Sequence, residues 1–340
     1  HTSGCDDSVP KHPELMSTET YLVTGATGFI GSNTIRQLLE QGHAVIGVDN
    51  MNDYYDVRLK EHRLKTLQPH KNFVFESVDI EDMDALDRTF EANKFSAVIN
   101  LAARAGVRYS MENPHVYMTT NAIGTLNILE QIRSHDVSKL VLASTSSLYA
   151  GQAMPFTETL PVNTPISPYA ASKKSAEVMA YAYHNLYGID VTVLRYFTVF
   201  GPAGRPDMSI FRFIKWIDEG VPLTMYGDGT QSRDFTYVDD IARGTVLALK
   251  PLGYEIINLG GGRNPVSMNH VIKLIEEGLN KKATIDRKPF HIADMMETCA
   301  DISKAEALLD WTPRVNVEEG LAKSIAWYLE NKTWLSDIAV

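Results

Sequence analysis

At 340 residues, with 44% apolar and 22% charged residues and a formal net charge of −10, the chain reads as a globular protein with one large unit and an appended lobe. That balance excludes a largely disordered chain and argues against general affinity for nucleic acid or an acidic membrane; no apolar run approaches the roughly 20 residues of a membrane span. Cys5 and Cys299 make no disulfide framework and stand at no metal-ligand spacing, so a reducing, cytoplasmic setting and no metal site are expected.

Residues His1 to Leu15 lack the apolar core of a signal peptide; Met16 reads as the natural start and 1–16 as a disordered tail. From Thr20, short β-branched runs alternate with longer amphipathic stretches, the pattern of βαβ units in a parallel sheet. Tyr21 to Thr24 is the first strand, and Thr24-Gly25-Ala26-Thr27-Gly28-Phe29-Ile30-Gly31 opens a helix predicted over Phe29 to Gln41. Gly25, Gly28 and Gly31 let the backbone approach a pyrophosphate, with the helix N-terminus facing that anion. A glycine triplet alone is weak; the strand before it and the helix after it give it meaning. The second strand, Ala44 to Val48, leads into Asp49-Asn50, placing a carboxylate 18 residues beyond Gly31. Asp49 there can accept from the adenosine ribose hydroxyls and repel a 2′-phosphate, favouring NAD over NADP; the plainer alternative is a solvated strand-end acid.

The third strand, Phe73 to Val78, leads to Asp79-Ile80, placed to hold the adenine. After a helix over Met83 to Asn93, the fourth strand, Ala97 to Leu101, ends in Leu101-Ala102-Ala103, small enough for a cofactor to lie close. A helix over His115 to Ser134 precedes the fifth strand, Lys139 to Ala143, which runs into Ser144-Thr145-Ser146-Ser147. The next helix, Tyr169 to Tyr187, opens with Tyr169 and Lys173, four apart on one face. The ammonium can lower the phenol pKa from about 10, and a phenolate can take a hydroxyl proton. Thr145 is best placed to meet Tyr169 on one substrate oxygen; without that pair, the Ser/Thr run would read as a turn bonding its own backbone. Tyr328 also has a lysine four residues on, Lys332, but no glycine turn or strand-end hydroxyls, and reads as part of a plain surface helix.

Val191 to Arg195 is the sixth strand. Beyond Gly201 the chain turns to Pro/Gly-punctuated segments with helices predicted over Ser209 to Glu219, Met268 to Gly278 and Val317 to Glu330. Val238 to Leu249 is helical and Ile256 to Leu259 strand-like, so the chain crosses back to the sheet between Phe235 and Gly262. The expected architecture is α/β: a Rossmann-type doubly wound parallel sheet of about seven strands over 17–197 plus 236–262, and a smaller, mostly helical substrate lobe over 198–235 plus 263–335.

With these elements assembled, residues from about Thr20 to Asn331 resemble the extended short-chain dehydrogenase/reductase family, specifically its NAD-dependent nucleotide-sugar 4-epimerases and their decarboxylase and dehydratase relatives. Three stretches are similar to the UDP-glucuronate 4-epimerases: Asp49-Asn50-Met51-Asn52-Asp53-Tyr54-Tyr55-Asp56; Arg195 to Pro202 with Gly204 to Met208; and Arg233 to Asp240. The resemblance implies C4 epimerisation of UDP-glucuronate to UDP-galacturonate through a 4-keto intermediate. Tyr169 would take the C4 hydroxyl proton, Thr145 would orient that oxygen, and Lys173 and Tyr196 would join the residues holding a resident NAD. Decarboxylating and dehydrating relatives usually carry Glu where Ser147 stands, and many carry Asn where Thr198 stands.

A 4-keto uronate is a β-keto acid, which loses carbon dioxide when its carboxylate bond aligns with the carbonyl π system. Ser146, Ser147, Thr198 and Arg205 are the donors expected to hold the carboxylate, Arg205 in bidentate fashion, unless Arg205 serves only a loop ion pair. The resemblance also implies Arg233 and Arg108 at the UDP diphosphate, Tyr226 and Phe211 flanking uracil, Asp294 at the uridine ribose, and a homodimer through the two long helices. Arg104 and His291 depart from the Gln common at both positions in such epimerases, and Ala150 from Gly. Three alternatives stay open: a 4-epimerase for neutral or N-acetylated UDP-hexoses, with no use for Arg205; a UDP-glucuronate decarboxylase; and a non-catalytic NAD-binding regulator.

Overall fold

The computed structural model describes residues 18–262 and 265–340, so the tail expected over 1–16 lies outside the described residues. In chain order the first part runs β1 (Thr20–Thr24), α1 (Phe29–Glu40), β2 (Ala44–Asp49), α2 (Val57–Leu67), β3 (Phe73–Ser77), α3 (Met83–Ala92), β4 (Ala97–Asn100), α4 (Val107–Glu112) and α5 (Pro114–Tyr117). A π-helical segment over Met118–Ile123 leads to α6 (Gly124–Ser134), β5 (Lys139–Thr145), a 3-10 turn over Ser146–Tyr149, α7 (Pro168–Tyr187) and β6 (Asp190–Tyr196). Then follow β7 (Val199–Phe200), α8 (Ser209–Glu219), β8 (Leu223–Tyr226), β9 (Ser232–Arg233), β10 (Thr236–Tyr237), α9 (Val238–Leu247) and β11 (Tyr254–Leu259). The chain ends with β12 (Val266–Ser267), α10 (Met268–Leu279), β13 (Ile285–Lys288), α11 (Ser303–Leu309) and α12 (Val317–Leu335).

Seven strands form one sheet in the order β3-β2-β1-β4-β5-β6-β11, every neighbouring pair parallel. β4 and β5, with the apolar runs 97–99 and 140–143, are buried throughout, as strands covered on both faces must be. Ile35 and Leu38 of α1, Ile241 of α9 and Trp311 belong to one buried cluster; Ile128 and Leu129 of α6 and Ala176 and Ala180 of α7 belong to another. A third cluster draws on α8, α10 and α12 through Phe213, Ile214, Val271, Ile275, Leu321 and Ile325. The return to the sheet takes place as read: α9 packs on α1, and β11 pairs with β6.

Several expectations are corrected. The helix predicted over His115 to Ser134 is α5 and α6 joined by the π-helical segment, whose wider turn sets buried Asn121 against the site-side loop; its Nδ2 donates to the Arg104 carbonyl and to Ser172 Oγ, both at 2.9 Å. Tyr328 is not on a surface helix face. It is 2% exposed, its ring 6.4 Å from Phe211, because Leu321, Ile325 and Tyr328 form the inward stripe of α12. Helices α2 and α11 and the short strand pairs β7/β10, β8/β13 and β9/β12 escaped the periodicity reading.

Candidate active site

β1 ends at Thr24, whose Oγ1 donates to Asn100 Oδ1 at 2.6 Å and accepts from the Leu101 and Ala102 N–H groups at 3.0 Å each. These bonds tie β1 to β4 where the strand order reverses, the place where parallel sheets open a crevice. Gly25 sits at φ +67°, and a Cβ there would lie 2.8 Å from the Ala102 nitrogen; one on Gly31 would lie 2.0 Å from the Gly25 carbonyl oxygen. Both positions therefore require glycine. Gly28 caps α1 with no side-chain hydrogen bond, which leaves the first-turn N–H groups for an anion. Asp49 is buried, Oδ2 accepting from the Thr27 N–H at 3.1 Å and Oδ1 from the Met51 N–H at 2.9 Å, with further lone pairs on both oxygens.

A cavity of about 390 Å³ opens over this crevice. Around it the structure gathers Gly25, Gly28, Phe29, Ile30 and Gly31 of the turn, Asp49 and Asn50 after β2, Asp79 and Ile80 after β3, and Leu101, Ala102 and Ala103 after β4. Asn50 Nδ2 donates to Asp79 Oδ2 at 2.8 Å, which ties the β2 and β3 ends together. Thr145 at the end of β5 and Ser146 and Ser147 in the turn after it line the same space, with Tyr169 and Lys173 from α7, Tyr196 at the end of β6, and Thr198 and Arg205 from the segment beyond it.

Ser167 caps α7 by accepting from the Ala170 N–H at 3.1 Å, with Pro168 at the first helical position, so Tyr169 and Lys173 enter the cavity from the helix start. The Thr145 hydroxyl faces the Tyr169 phenol and favours its ionised form, while Thr145 Oγ1 accepts from the Ser147 N–H at 3.1 Å. The electrostatics differ from the expected simple lowering of the phenol by the ammonium. Burial holds Tyr169 above its ordinary value, opposed by the Thr145 hydroxyl and the Arg205 charge; burial also pushes Lys173 down to about 8, with Glu177 opposing. In the ligand-free site the phenol is therefore neutral at pH 7.

Arg205 donates from Nε and Nη2 to the Asp207 carboxylate at 3.0 and 2.5 Å, its guanidinium 5.7 Å from the Tyr54 ring centroid. Burial opposes its charge, but Asp207 outweighs that and raises its pKa. Arg108, Tyr226, Arg233 and Asp294 do not line this cavity; they form an adjoining group. Arg108 Nη2 meets Asp294 Oδ2 at 2.5 Å and its guanidinium covers the Tyr226 ring at 3.8 Å. Burial lowers the pKa of Arg233, with Asp294 opposing and Arg108 adding to it. Phe211 lies in the lobe core beside Tyr328, 7% exposed, and lines a smaller neighbouring cavity and not the large one, since α8 turns its apolar stripe inward.

The sequence reading missed Asn52, Tyr54, Tyr55 and Lys60, which also line the cavity. Lys60 is buried, Nζ donating to the Asn52 carbonyl at 2.7 Å, and burial lowers its pKa. The inward positions of α2 are Leu59, Lys60, Arg63 and Leu67, two of them cations, so the apolar period was hidden. The N-cap at Asp56, whose side chain accepts from the Arg58 N–H at 3.0 Å, was the available signal. Glu177 was missed as well. It is 1% exposed, accepts from Ser144 Oγ at 2.7 Å, and is gripped by Arg195 through Nε at 2.9 Å and Nη2 at 2.8 Å.

Comparison with known proteins agrees with this arrangement. The family model described as GDP-mannose 4,6 dehydratase matches residues 22–324. The chain is 59% identical over 320 residues to the UDP-glucuronate 4-epimerase of Thermodesulfobacterium geofontis, across 94% of this chain and 99% of that one. Among solved structures it matches a UDP-glucuronic acid 4-epimerase from Bacillus cereus, in complex with UDP-glucuronic acid and NAD, with a TM-score of 0.86 at 37% identity over 92% of this chain and 99% of that one. It also matches a UDP-glucose 4-epimerase with UDP-glucose from Thermotoga maritima, with a TM-score of 0.84 at 32% identity over 92% and 99% of the two chains.

Proposed function

The chain belongs to the extended short-chain dehydrogenase/reductase family, in the branch matched by the GDP-mannose 4,6-dehydratase model, and from that premise we propose that it is an NAD-dependent isomerase interconverting UDP-glucuronate and UDP-galacturonate at C4. The observation that carries this reading is one cavity holding both the Tyr169, Lys173 and Thr145 set and a cation with three hydroxyls, Arg205, Ser146, Ser147 and Thr198.

The residues present fit NAD, because two glycines stand where a Cβ would strike backbone, the helix N-terminus is uncapped, and a buried carboxylate ends β2. Gly25, Gly28, Phe29, Ile30 and Gly31 would hold its pyrophosphate, Asp49 and Asn50 its adenosine ribose, Asp79 and Ile80 its adenine, and Leu101, Ala102, Ala103, Tyr169, Lys173 and Tyr196 its nicotinamide half. Bound there, NAD supplies reversible acceptance of the C4 hydrogen as hydride. Thr145 orients the C4 oxygen, and Tyr169, in the phenolate form the reaction requires, takes the hydroxyl proton and returns it after the sugar has turned its other face. Lys173 in its charged form favours the phenolate. Ser147 supplies no carboxylate for chemistry beyond C4. Arg205, with Nε and Nη2 on Asp207, offers Nη1 to the sugar carboxylate, and Ser146, Ser147 and Thr198 complete a grip that keeps its bond out of line with the ketone.

In the adjoining group, Arg233 and Arg108 would meet the UDP diphosphate, Tyr226 would face uracil, and Asp294 would release Arg108 for the uridine ribose. Residues 17–197 plus 236–262 form the NAD-holding part of this reading, and 198–235 plus 263–335 the sugar-holding part. The active form in this reading is a cytoplasmic homodimer: two cysteines in 340 residues make no disulfide framework, and α7 and the π-helical segment carry an exposed apolar face. A neutral UDP-hexose is the second reading, favoured by the neutralisation of Arg205 by Asp207.

The test is incubation with UDP-glucuronate without added NAD, products resolved by NMR. UDP-glucuronate and UDP-galacturonate without pentose is the expected outcome. An unchanged substrate even after NAD is added, with turnover of UDP-glucose, moves the assignment to the neutral sugars.

A further inference from the structure

Arg63, on α2, is 3% exposed and has no place in the roles above. Its Nε and Nη2 donate to the Ala203 carbonyl at 3.0 and 2.8 Å, and Nη2 also reaches the Gly204 carbonyl at 3.2 Å. Nη1 donates to the Thr27 carbonyl at 3.1 Å and to the Tyr55 hydroxyl at 2.6 Å. Every one of these acceptors is a carbonyl or a phenol, not a carboxylate. Thr27 belongs to the glycine turn; Ala203 and Gly204 immediately precede Arg205. One buried guanidinium thus draws together two segments that come from opposite ends of the cavity's chain order.

The 203–204 segment depends on such an outside hold. Ala203 sits at φ 54°, a left-handed conformation that a non-glycine residue keeps only when its surroundings determine it. Removing Arg63 would leave three carbonyls at this junction without their donor.

We propose that Arg63 is a positioning residue that clamps the 203–205 segment to the dinucleotide turn, so that one guanidinium sets both the shape of that turn and the reach of Arg205 to the sugar carboxylate. The proposal rests on the uronate reading. With the clamp loosened, the C5–C6 bond of the 4-keto sugar gains freedom to align with the ketone. That bond then breaks, its electron pair forms the C4–C5 enolate, carbon dioxide leaves, and a proton from water restores C5; the resulting 4-keto-pentose nucleotide takes back the hydride at C4 and the proton at its oxygen to become the pentose nucleotide. Arg63 would therefore govern how product divides between epimer and pentose, not only how fast it forms.

Arg63→Lys keeps the charge and loses the forked reach to three carbonyls. The variant and the unaltered protein are incubated with UDP-glucuronate, and epimer and pentose nucleotides are quantified by NMR alongside bound NAD and Tm. The expected result is a pentose share raised roughly fivefold or more, with a higher KM for UDP-glucuronate and most NAD retained, because a small misplacement at a distance has large effects at the reacting bond. A pentose share equal to that of the unaltered protein, with any loss confined to kcat, overturns the clamp. If Arg63→Lys does not fold, Tyr55→Phe removes one bond and keeps the ring; a smaller rise in pentose is expected, and no rise overturns the proposal. Should the unaltered protein leave UDP-glucuronate untouched, the uronate reading itself falls and the carboxylate half of this proposal falls with it.

Discussion

Lys173 is an ammonium that the fold withdraws from water, 4% exposed and brought down to about 8 by burial, with Glu177 opposing. In the unfolded chain a lysine titrates near 10.4. Below pH 8 both states hold the proton and the folded state bears the full desolvation cost. As pH rises from 8 towards 10.4 the unfolded chain keeps a proton that the folded chain has given up, so the cost shrinks and then disappears. Lys173→Met should therefore abolish epimerisation yet stabilise the ligand-free protein, by up to on the order of 3 kcal/mol at pH 7, with a clearly smaller gain at pH 9.5. Chemical denaturation at the two pH values checks this; a variant less stable than its parent at pH 7 would contradict it. Such a stability gain on loss of function is the mark of a group held for chemistry.

At the scale of elements, the middle of α7 is held by a buried polar chain. Glu177 joins the helix to Ser144 at the end of β5 and to Arg195 on β6; Arg195 Nη1 reaches the Tyr149 hydroxyl at 2.9 Å, which donates to Asn258 Oδ1 on β11 at 2.7 Å. Both members of the ion pair are 1% exposed, so removing one strands the other. Arg195→Met should cost roughly 3–5 kcal/mol, read from the urea midpoint, whereas an exposed pair such as Lys273 with Glu277 should cost about 0–1 kcal/mol when broken. A loss below about 1 kcal/mol for Arg195→Met would mean that the pair does not pin α7. Element-level legibility followed the same division between local and distant causes. The strand of Ala97–Asn100 was readable from its own residues, but the break inside His115 to Ser134 was not, because Asn121 takes its partners from the 104 loop and from α7.

For the whole molecule, α7 packs against the π-helical segment and the pair leaves an apolar face outside: Val178 is 53% and Tyr181 54% exposed on α7, and Met118 is 42% and Ile123 50% exposed beside them. In the homodimer proposed above, each protomer would present this same apolar helix pair to the other. Light scattering should give twice the chain mass for the unaltered protein and the chain mass for Ile123→Glu/Val178→Glu. A monomer before substitution would remove the homodimer from the reading.

What the sequence determined by itself was whatever depends on near neighbours: the strand, glycine turn and helix of Thr24 to Gly31, the carboxylate 18 residues on, the Tyr169/Lys173 spacing and the return through α9 to β11. Those follow from backbone sterics and short periods, which a linear reading contains. Tertiary structure alone decided which charges meet. Arg63 finds the Ala203 carbonyl across 140 positions and Arg108 finds Asp294 across 186; Tyr328, expected on a surface helix, instead closes on Phe211 in the lobe core. The physical reason is that hydrogen bonding, ion pairing and burial depend on distance through space, and only the folded chain sets which distant residues are near.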